Sequence, residues 1–217
     1  MKYKHVIFDF DGTLADTISG ITYACNEVSK KYNINKVFTD KDVMIFIGKG
    51  SKHLFLSAFN LEDLDEHTSK MYDDFMTYYL SCQLDHLDLY ENAEKVLKTL
   101  QNLNIFLYIY SNKPHDILVE CVKKVLPSID FKLVLGNRTE DKPKPDPTFM
   151  NEYFKNNNIK KEESIYVGDS IVDLRFAQNL GVDSLILTHG YWNSGDINKE
   201  NITYIAKNME DILTYII

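Results

Sequence analysis

The stretch His5-Val6-Ile7-Phe8-Asp9-Phe10-Asp11-Gly12-Thr13 decides the fold. From His5 to Phe10 the chain is a short apolar run, rich in β-branched and aromatic residues and too short for a helix. It ends in two acids one residue apart and a glycine, which lets the chain turn abruptly where the run stops. Four later segments have the same character: Ile105 to Tyr110, Phe131 to Leu135, Ser164 to Val167 and Asp183 to Leu187. Near-continuous hydrophobic strands of this kind belong to a parallel sheet covered on both faces. Helical periods lie between them. Ala93, Val96, Leu97, Leu100 and Leu103 share one face, and Ile117, Leu118, Cys121, Val122, Val125 and Leu126 share another behind Pro114. Phe149, Met150, Tyr153 and Phe154 make a third, and Phe176, Ala177 and Leu180, stopped by Gly181, a fourth. Such alternation predicts a doubly wound α/β domain that binds ligands at the carboxyl ends of its strands.

One gap interrupts the alternation. Between Asp16 and Asp85 there is no comparable strand, and Ile18, Ile21, Cys25, Val28 and Tyr32, then Leu54, Phe55, Ala58 and Phe59, then Leu64, Met71, Phe75, Tyr78 and Cys82 recur at helical spacing. We expect residues 16–85 to form an inserted all-α lid, with 1–15 and 86–217 forming the core.

Composition narrows the function. The chain has 217 residues, ample for a core without staples, and carries 24 Lys and Arg against 32 Asp and Glu, a net charge of −8. A surface of that sign repels polyphosphate backbones and argues against nucleic acid. Cys25, Cys82 and Cys121 form no CxxC pair, which argues against a zinc site or disulfide framework and for buried thiols in a reducing cytoplasm. The most apolar stretch, Ile105 to Tyr110, falls far short of the roughly twenty residues that span a membrane. The N-terminus lacks the apolar run of a secretory signal. The expected protein is cytoplasmic, without membrane contact, and a monomer or homodimer.

The chemistry gathers at strand ends. Residues two apart in a strand point the same way, so Asp9 and Asp11 share a face, and a cation between them offsets their repulsion. By itself this pair is ordinary. A second acidic tip follows in Gly168-Asp169-Ser170-Ile171-Val172-Asp173, where Asp173 falls one helical turn past Asp169. Taken alone, that string reads equally as Asp169 or Ser170 capping a helix. If the two strands are neighbours, four acids converge, and an all-oxygen donor set without His or Cys points to Mg²⁺. Ser111-Asn112-Lys113-Pro114 sets a hydroxyl at another tip before a helix, a place for a phosphate oxygen or a plain helix cap. In Asp141-Lys142-Pro143-Lys144-Pro145-Asp146-Pro147, prolines stiffen a loop that would hold an ammonium, or form a surface turn.

In this order, the DFDGT string, the strand-end Ser111, the KPxPD pattern and the GDSxxD string resemble the haloacid-dehalogenase-like hydrolase superfamily, over essentially the whole chain. Ser111 to Pro114, Gly48-Lys49-Gly50 and His189-Gly190-Tyr191 are most similar to bacterial phosphoglycolate phosphatases. The resemblance implies a Rossmann-like core with an α-helical cap and a Mg²⁺-dependent phosphatase for a small phosphate monoester, phosphoglycolate first. It implies Asp9 as nucleophile, Asp11 as acid and base, and Lys142 as the catalytic lysine, with Lys144 at the variable position of the pattern. Ser111, Asn112 and Gly12 are implied at the phosphate. Asp9, the Asp11 carbonyl and Asp169 would hold Mg²⁺, with Asp173 and Ser170 supporting them from behind. The Gly-rich basic loop Ile47 to His53 opens a helix of the insertion, either as an anion site or as an ordinary helix start with exposed lysines, and we expect Lys49 or Lys52 to read the substrate's non-reacting end.

Other readings stay open. A β-phosphoglucomutase-like mutase shares the core acids and differs in whether water or a sugar hydroxyl takes the phosphoryl group. Nucleotides, hexose phosphates and pyrophosphate are further candidate substrates, and a sugar-phosphate-binding regulator is the non-enzymatic rival. Asp11 argues against a dehalogenase or phosphonatase, since the resembling families with those activities lack an acid there.

Overall fold

Strand β1 (His5–Phe8) occupies the middle of the molecule in a computed structural model that describes residues 1–138, 142–191 and 201–217. After it come β2 (Ala15–Asp16) and four helices, α1 (Ile18–Lys31), α2 (Asp40–Met44), α3 (Ser51–Phe59) and α4 (Glu66–Gln83). Next follow β3 (Asp88–Leu89), α5 (Ala93–Asn102), β4 (Phe106–Pro114), α6 (His115–Val125), β5 (Phe131–Asn137) and α7 (Thr148–Asn156). The chain closes with β6 (Ser164–Gly168), α8 (Ile171–Leu180), β7 (Asp183–Leu187), β8 (Tyr204–Ala206) and α9 (Asp211–Ile216). The main sheet has six strands in the order β5-β4-β1-β6-β7-β8, every pairing parallel. The fold is therefore α/β, with a helical insertion between β2 and β3.

The sheet is covered on both faces, and the period of two shows how. Val6 and Phe8 of β1 pack with Leu107, Ile109, Ile165 and Val167 against α5, α6 and α9. Ile7 between them points the other way, with Tyr108, Tyr110 and Tyr166, onto Met150, Phe154 and Phe176 of α7 and α8. Val96, Leu97 and Leu100 of α5 are fully buried, and removing one such leucine side chain costs about 2–5 kcal/mol. Helix α8 starts on a capping box, Ser170 with Asp173, and stops at Gly181 in the left-handed region, φ 77°. All three cysteines are buried and free. No helix among the described residues is long and apolar enough to cross a membrane.

Three features go beyond the pattern in the sequence. Strand β8 and helix α9 extend the sheet edge, where alternation is too brief to read. Strand β4 runs on to Pro114, so Ser111 to Lys113 are still strand, with an irregular register against β5 between Tyr110 and Pro114. The two-residue strands β2 and β3 pair antiparallel at the base of the insertion, Ala15 opposite Leu89 and Asp16 opposite Asp88.

Candidate active site

Strand order reverses around β1: the chain moves from β1 to β4 and β5 on one side, then to β6, β7 and β8 on the other. The crevice beyond such a reversal is where doubly wound sheets bind ligands. Asp9 leaves β1 at that point, its N–H donating to Val167 O on β6 at 2.9 Å. The Phe10 carbonyl then accepts from the N–H groups of Thr13, Leu14 and Ala15, which folds the chain back. Gly12 makes the bend with φ 78°, and a Cβ there would stand 2.3 Å from Asp169 Oδ2. Gly190 clears the other side: its Cβ would come within 2.3 Å of the Asp169 Cβ and 2.4 Å of the Gly12 carbonyl.

Asp9, Asp169 and Asp173 converge, with one carboxylate oxygen of each within 4.8 Å of the others, and all three are buried. Lys144, itself 3% exposed, enters from the loop before α7. Its Nζ donates to Asp173 Oδ1 at 2.7 Å and to Tyr166 Oη at 2.8 Å. It lies 2.9 Å from Asp9 Oδ1, yet Oδ1 accepts no well-aligned hydrogen bond. Asp173 is fully committed. Its other oxygen accepts from the Ser170 hydroxyl at 2.6 Å and from the N–H groups of Ser170 and Asp169. Asp173 thus caps α8 and aims Lys144. Asp169 accepts from the Thr13 hydroxyl at 2.8 Å and from Tyr191 N–H at 2.7 Å.

Burial is the largest influence on these groups. It pushes the Asp9 carboxyl up to about 6, against Lys144, with Asp173 adding to the rise. Burial, then Asp173 and Asp9, holds Asp169 well above the carboxylate range. Burial alone would lower the Lys144 ammonium, but Asp173 and Asp9 together raise it. Ionising all three carboxylates against one ammonium would leave two negative charges without compensation, which is why burial holds protons on Asp9 and Asp169 when no cation is present. A divalent cation matches that deficit. The all-oxygen donor set and the unbonded Asp9 Oδ1 fit Mg²⁺, with Asp9 and Asp169 as the carboxylates free to hold it.

Asp11 lies outside this cluster. Its Oδ1 accepts from Lys113 Nζ at 2.8 Å and from the Thr17 hydroxyl at 2.7 Å. Lys113 also donates to Tyr79 Oη at 2.7 Å and Gln83 Oε1 at 3.1 Å, both on α4. One buried ammonium therefore joins the core acid to the helical insertion. Between them is a cavity bordered by Asp9, Asp11, Ser111 and Lys113 from the core and by Ile47, Gly48, Leu54, Phe75 and Tyr79 from the insertion. Its volume is about 450 Å³, part of it open to solvent.

The structure brings Asp9, Asp11, Gly12, Ser111, Asp169, Ser170 and Asp173 to one edge. It corrects the lysine. Lys142 is exposed, its side chain 79% accessible, with Asp146 4.0 Å away, while Lys144 is the buried cation. The loop holds two Lys-Pro steps, and the choice between them is made at Asn112, which accepts from Lys144 N–H at 2.7 Å and donates to its carbonyl at 3.0 Å. Asp141, at the head of the quoted loop, lies outside the described residues. Asn112 itself is used up as a brace. Its second N–H reaches Gly48 O at 2.8 Å, so its amide has no donor left for a phosphate. Lys49 and Lys52 border a separate outer groove with His53 and Arg138 rather than the cavity at Asp9. Lys52 pairs with Asp63 at 3.1 Å. Sequence reasoning passed over Lys113, Thr13, Tyr79 and the chemical part of Tyr191. Lys113 carried a signal, a lysine inside a strand end, but its partners come from helix α4 and were invisible locally.

The profile of the family described as haloacid dehalogenase-like hydrolase matches residues 6–187. A phosphoglycolate phosphatase of Colwellia psychrerythraea is 32% identical over 217 residues, covering 96% of this chain and 94% of that protein. One from Vibrio parahaemolyticus is 27% identical, covering 97% and 94%. The crystal structure of a putative phosphoglycolate phosphatase from Lactobacillus delbrueckii subsp. bulgaricus shares the fold, with TM-score 0.88, 24% identity and coverage of 100% and 99%.

Proposed function

The chain belongs to the haloacid dehalogenase-like hydrolase family, and we propose that it is a Mg²⁺-dependent phosphatase for a small phosphate monoester, phosphoglycolate first. One observation carries this reading: buried Asp9, braced by Lys144, faces a cavity shared by the core and the insertion, which the buried ammonium of Lys113 also lines. The names of the relatives at 27–32% identity agree with it.

In the proposed reaction an Asp9 carboxylate oxygen attacks phosphorus as the ester P–O bond breaks, giving an aspartyl-phosphate. Lys144 and the Ser111 hydroxyl, which faces Asp9, hold the phosphoryl oxygens where negative charge collects. Asp11 gives its proton to the leaving alkoxide. It then takes a proton from the water that attacks phosphorus, releasing inorganic phosphate and restoring the Asp9 carboxylate. Mg²⁺ on Asp9, Asp169 and the Asp11 carbonyl would supply the positive charge that lets an anion approach an anion. The helices α1 to α4 act as a cap that excludes water from this exchange.

The test is a panel of monoesters with Mg²⁺, comparing kcat/KM for phosphoglycolate, nucleotides, hexose phosphates and pyrophosphate, with Asp9→Asn as the blank. Phosphoglycolate should lead by at least about tenfold. A hexose phosphate or nucleotide in first place would overturn the small-substrate reading.

A further inference from the structure

Tyr79 is 4% exposed and projects from α4 to the wall of the cavity that holds Asp9. Its Oη accepts a hydrogen bond from Lys113 Nζ at 2.7 Å. An ammonium only donates, so the phenol proton must go elsewhere, and no acceptor for it exists among the described residues. A buried O–H left this way is costly and calls for an explanation. The rest of the cap wall does not accept it: Ile47, Leu54 and Phe75 are apolar, and Ser51 Oγ shares a hydrogen bond with Tyr72 Oη at 2.8 Å in which either can donate. Lys113 is also the one ammonium lining this cavity among the described residues. The Tyr79 hydroxyl thus offers the substrate's tail a donor polarised by the Lys113 ammonium behind it, which Asp11 shares at 2.8 Å. That arrangement favours an anionic acceptor over a neutral one.

We propose that Tyr79, backed by Lys113, is the specificity-determining residue for the non-reacting end of the substrate, and that the group it takes is a carboxylate a few bonds from the ester oxygen. The inference deepens the phosphatase reading and rests on it. It places recognition inside the cavity rather than at Lys49 and Lys52 on the outer groove.

The experiment compares kcat/KM for phosphoglycolate and ethyl phosphate, two alkyl esters that differ in the carboxylate, in the unaltered chain and in Tyr79→Phe. The unaltered chain should prefer phosphoglycolate. Tyr79→Phe should cut that preference at least tenfold, mostly through KM, and turnover of ethyl phosphate in the same preparation shows that the variant is folded. Binding of phosphoglycolate to Asp9→Asn, with and without Tyr79→Phe, should weaken by a similar factor in calorimetry. A preference that survives Tyr79→Phe intact overturns the inference and leaves the phosphatase reading standing. An unaltered chain with no preference for the carboxylated ester overturns the phosphoglycolate reading and the inference together.

Discussion

Replacing Lys144 by Met removes the single ammonium set among three buried carboxylates. Methionine keeps an unbranched apolar stem that ends one atom short, so the change is chiefly the loss of the ammonium. Nζ stands 2.7 Å from Asp173 Oδ1 and 2.9 Å from Asp9 Oδ1, and breaking a buried pair on one side costs about 3–5 kcal/mol. For a chain of this size each kcal/mol moves the melting temperature by about 2–4 °C. Lys144→Met should therefore melt roughly 6–20 °C lower without added metal. Loss of a positive group on the transferring phosphoryl should lower kcat by roughly 10²–10³-fold, on the scale of a removed oxyanion donor. Lys142→Ala is the matched control, since Lys142 is exposed and has only a 4.0 Å contact to Asp146. Its effect should stay within about 0.5 kcal/mol and twofold in kcat/KM. Differential scanning fluorimetry and steady-state kinetics on both variants settle the matter. A Lys142→Ala chain that loses activity a hundredfold, beside a Lys144→Met chain that keeps it, would refute the assignment.

Three further outcomes follow from the same geometry. Asp11→Asn should slow phosphoenzyme formation from an alkyl phosphate by roughly 10²–10⁴-fold but from an aryl phosphate much less, since a good leaving group needs no proton; rapid-quench trapping that shows equal losses would rule Asp11 out as the acid. In the metal-free chain burial lifts the Asp9 carboxyl, with Lys144 opposing, to about 6; this folded value lies above the unfolded one, so that group's contribution to stability falls as pH rises from about 4 to 6. Mg²⁺ competes with that proton, and its effect on melting temperature should be large at pH 7.5 and small at pH 5; an equal rise at both would contradict it. Gly190→Ala puts a Cβ 2.3 Å from that of Asp169; the overpacking should cost about 1–3 kcal/mol in thermal melts and weaken Mg²⁺ binding, and a variant with unchanged Mg²⁺ titration would mean that the loop gives way freely.

The strands that matter most were legible because burial on both faces leaves an unmistakable apolar run: β1, β5, β6 and β7 lie where Val, Ile, Phe and Leu cluster. The helical insertion was legible through the lack of such runs. Strand β8 was not, since Tyr204 to Ala206 is an edge segment with one buried residue. In the site, acids at strand ends announce themselves by their spacing. The choice between Lys142 and Lys144 does not, because Pro follows each and only the Asn112 brace from β4 distinguishes them. Lys49 and Lys52 drew attention as charge beside glycine, yet the loop presents Gly48, Gly50 and Ser51 to the cavity and its lysines to the outside. A local string reports composition; the direction in which a side chain leaves the backbone is set by elements far along the chain.

The paired strands β2 and β3 have a consequence for how this architecture can change. The chain departs from the core and rejoins it at neighbouring points, Asp16 facing Asp88, so the sheet experiences everything between as a closed excursion with fixed ends. Lengthening such an excursion adds only about 0.6 kcal/mol per doubling in closure entropy. Helices can change within it while the sheet keeps its register, provided the bonds from Tyr79, Gln83 and Gly48 to Lys113 and Asn112 survive. A graft that joins a foreign helical segment at Asp16 and Asp88 keeps the sheet's ends in place, and must also supply the partners that Tyr79, Gln83 and Gly48 give to Lys113 and Asn112.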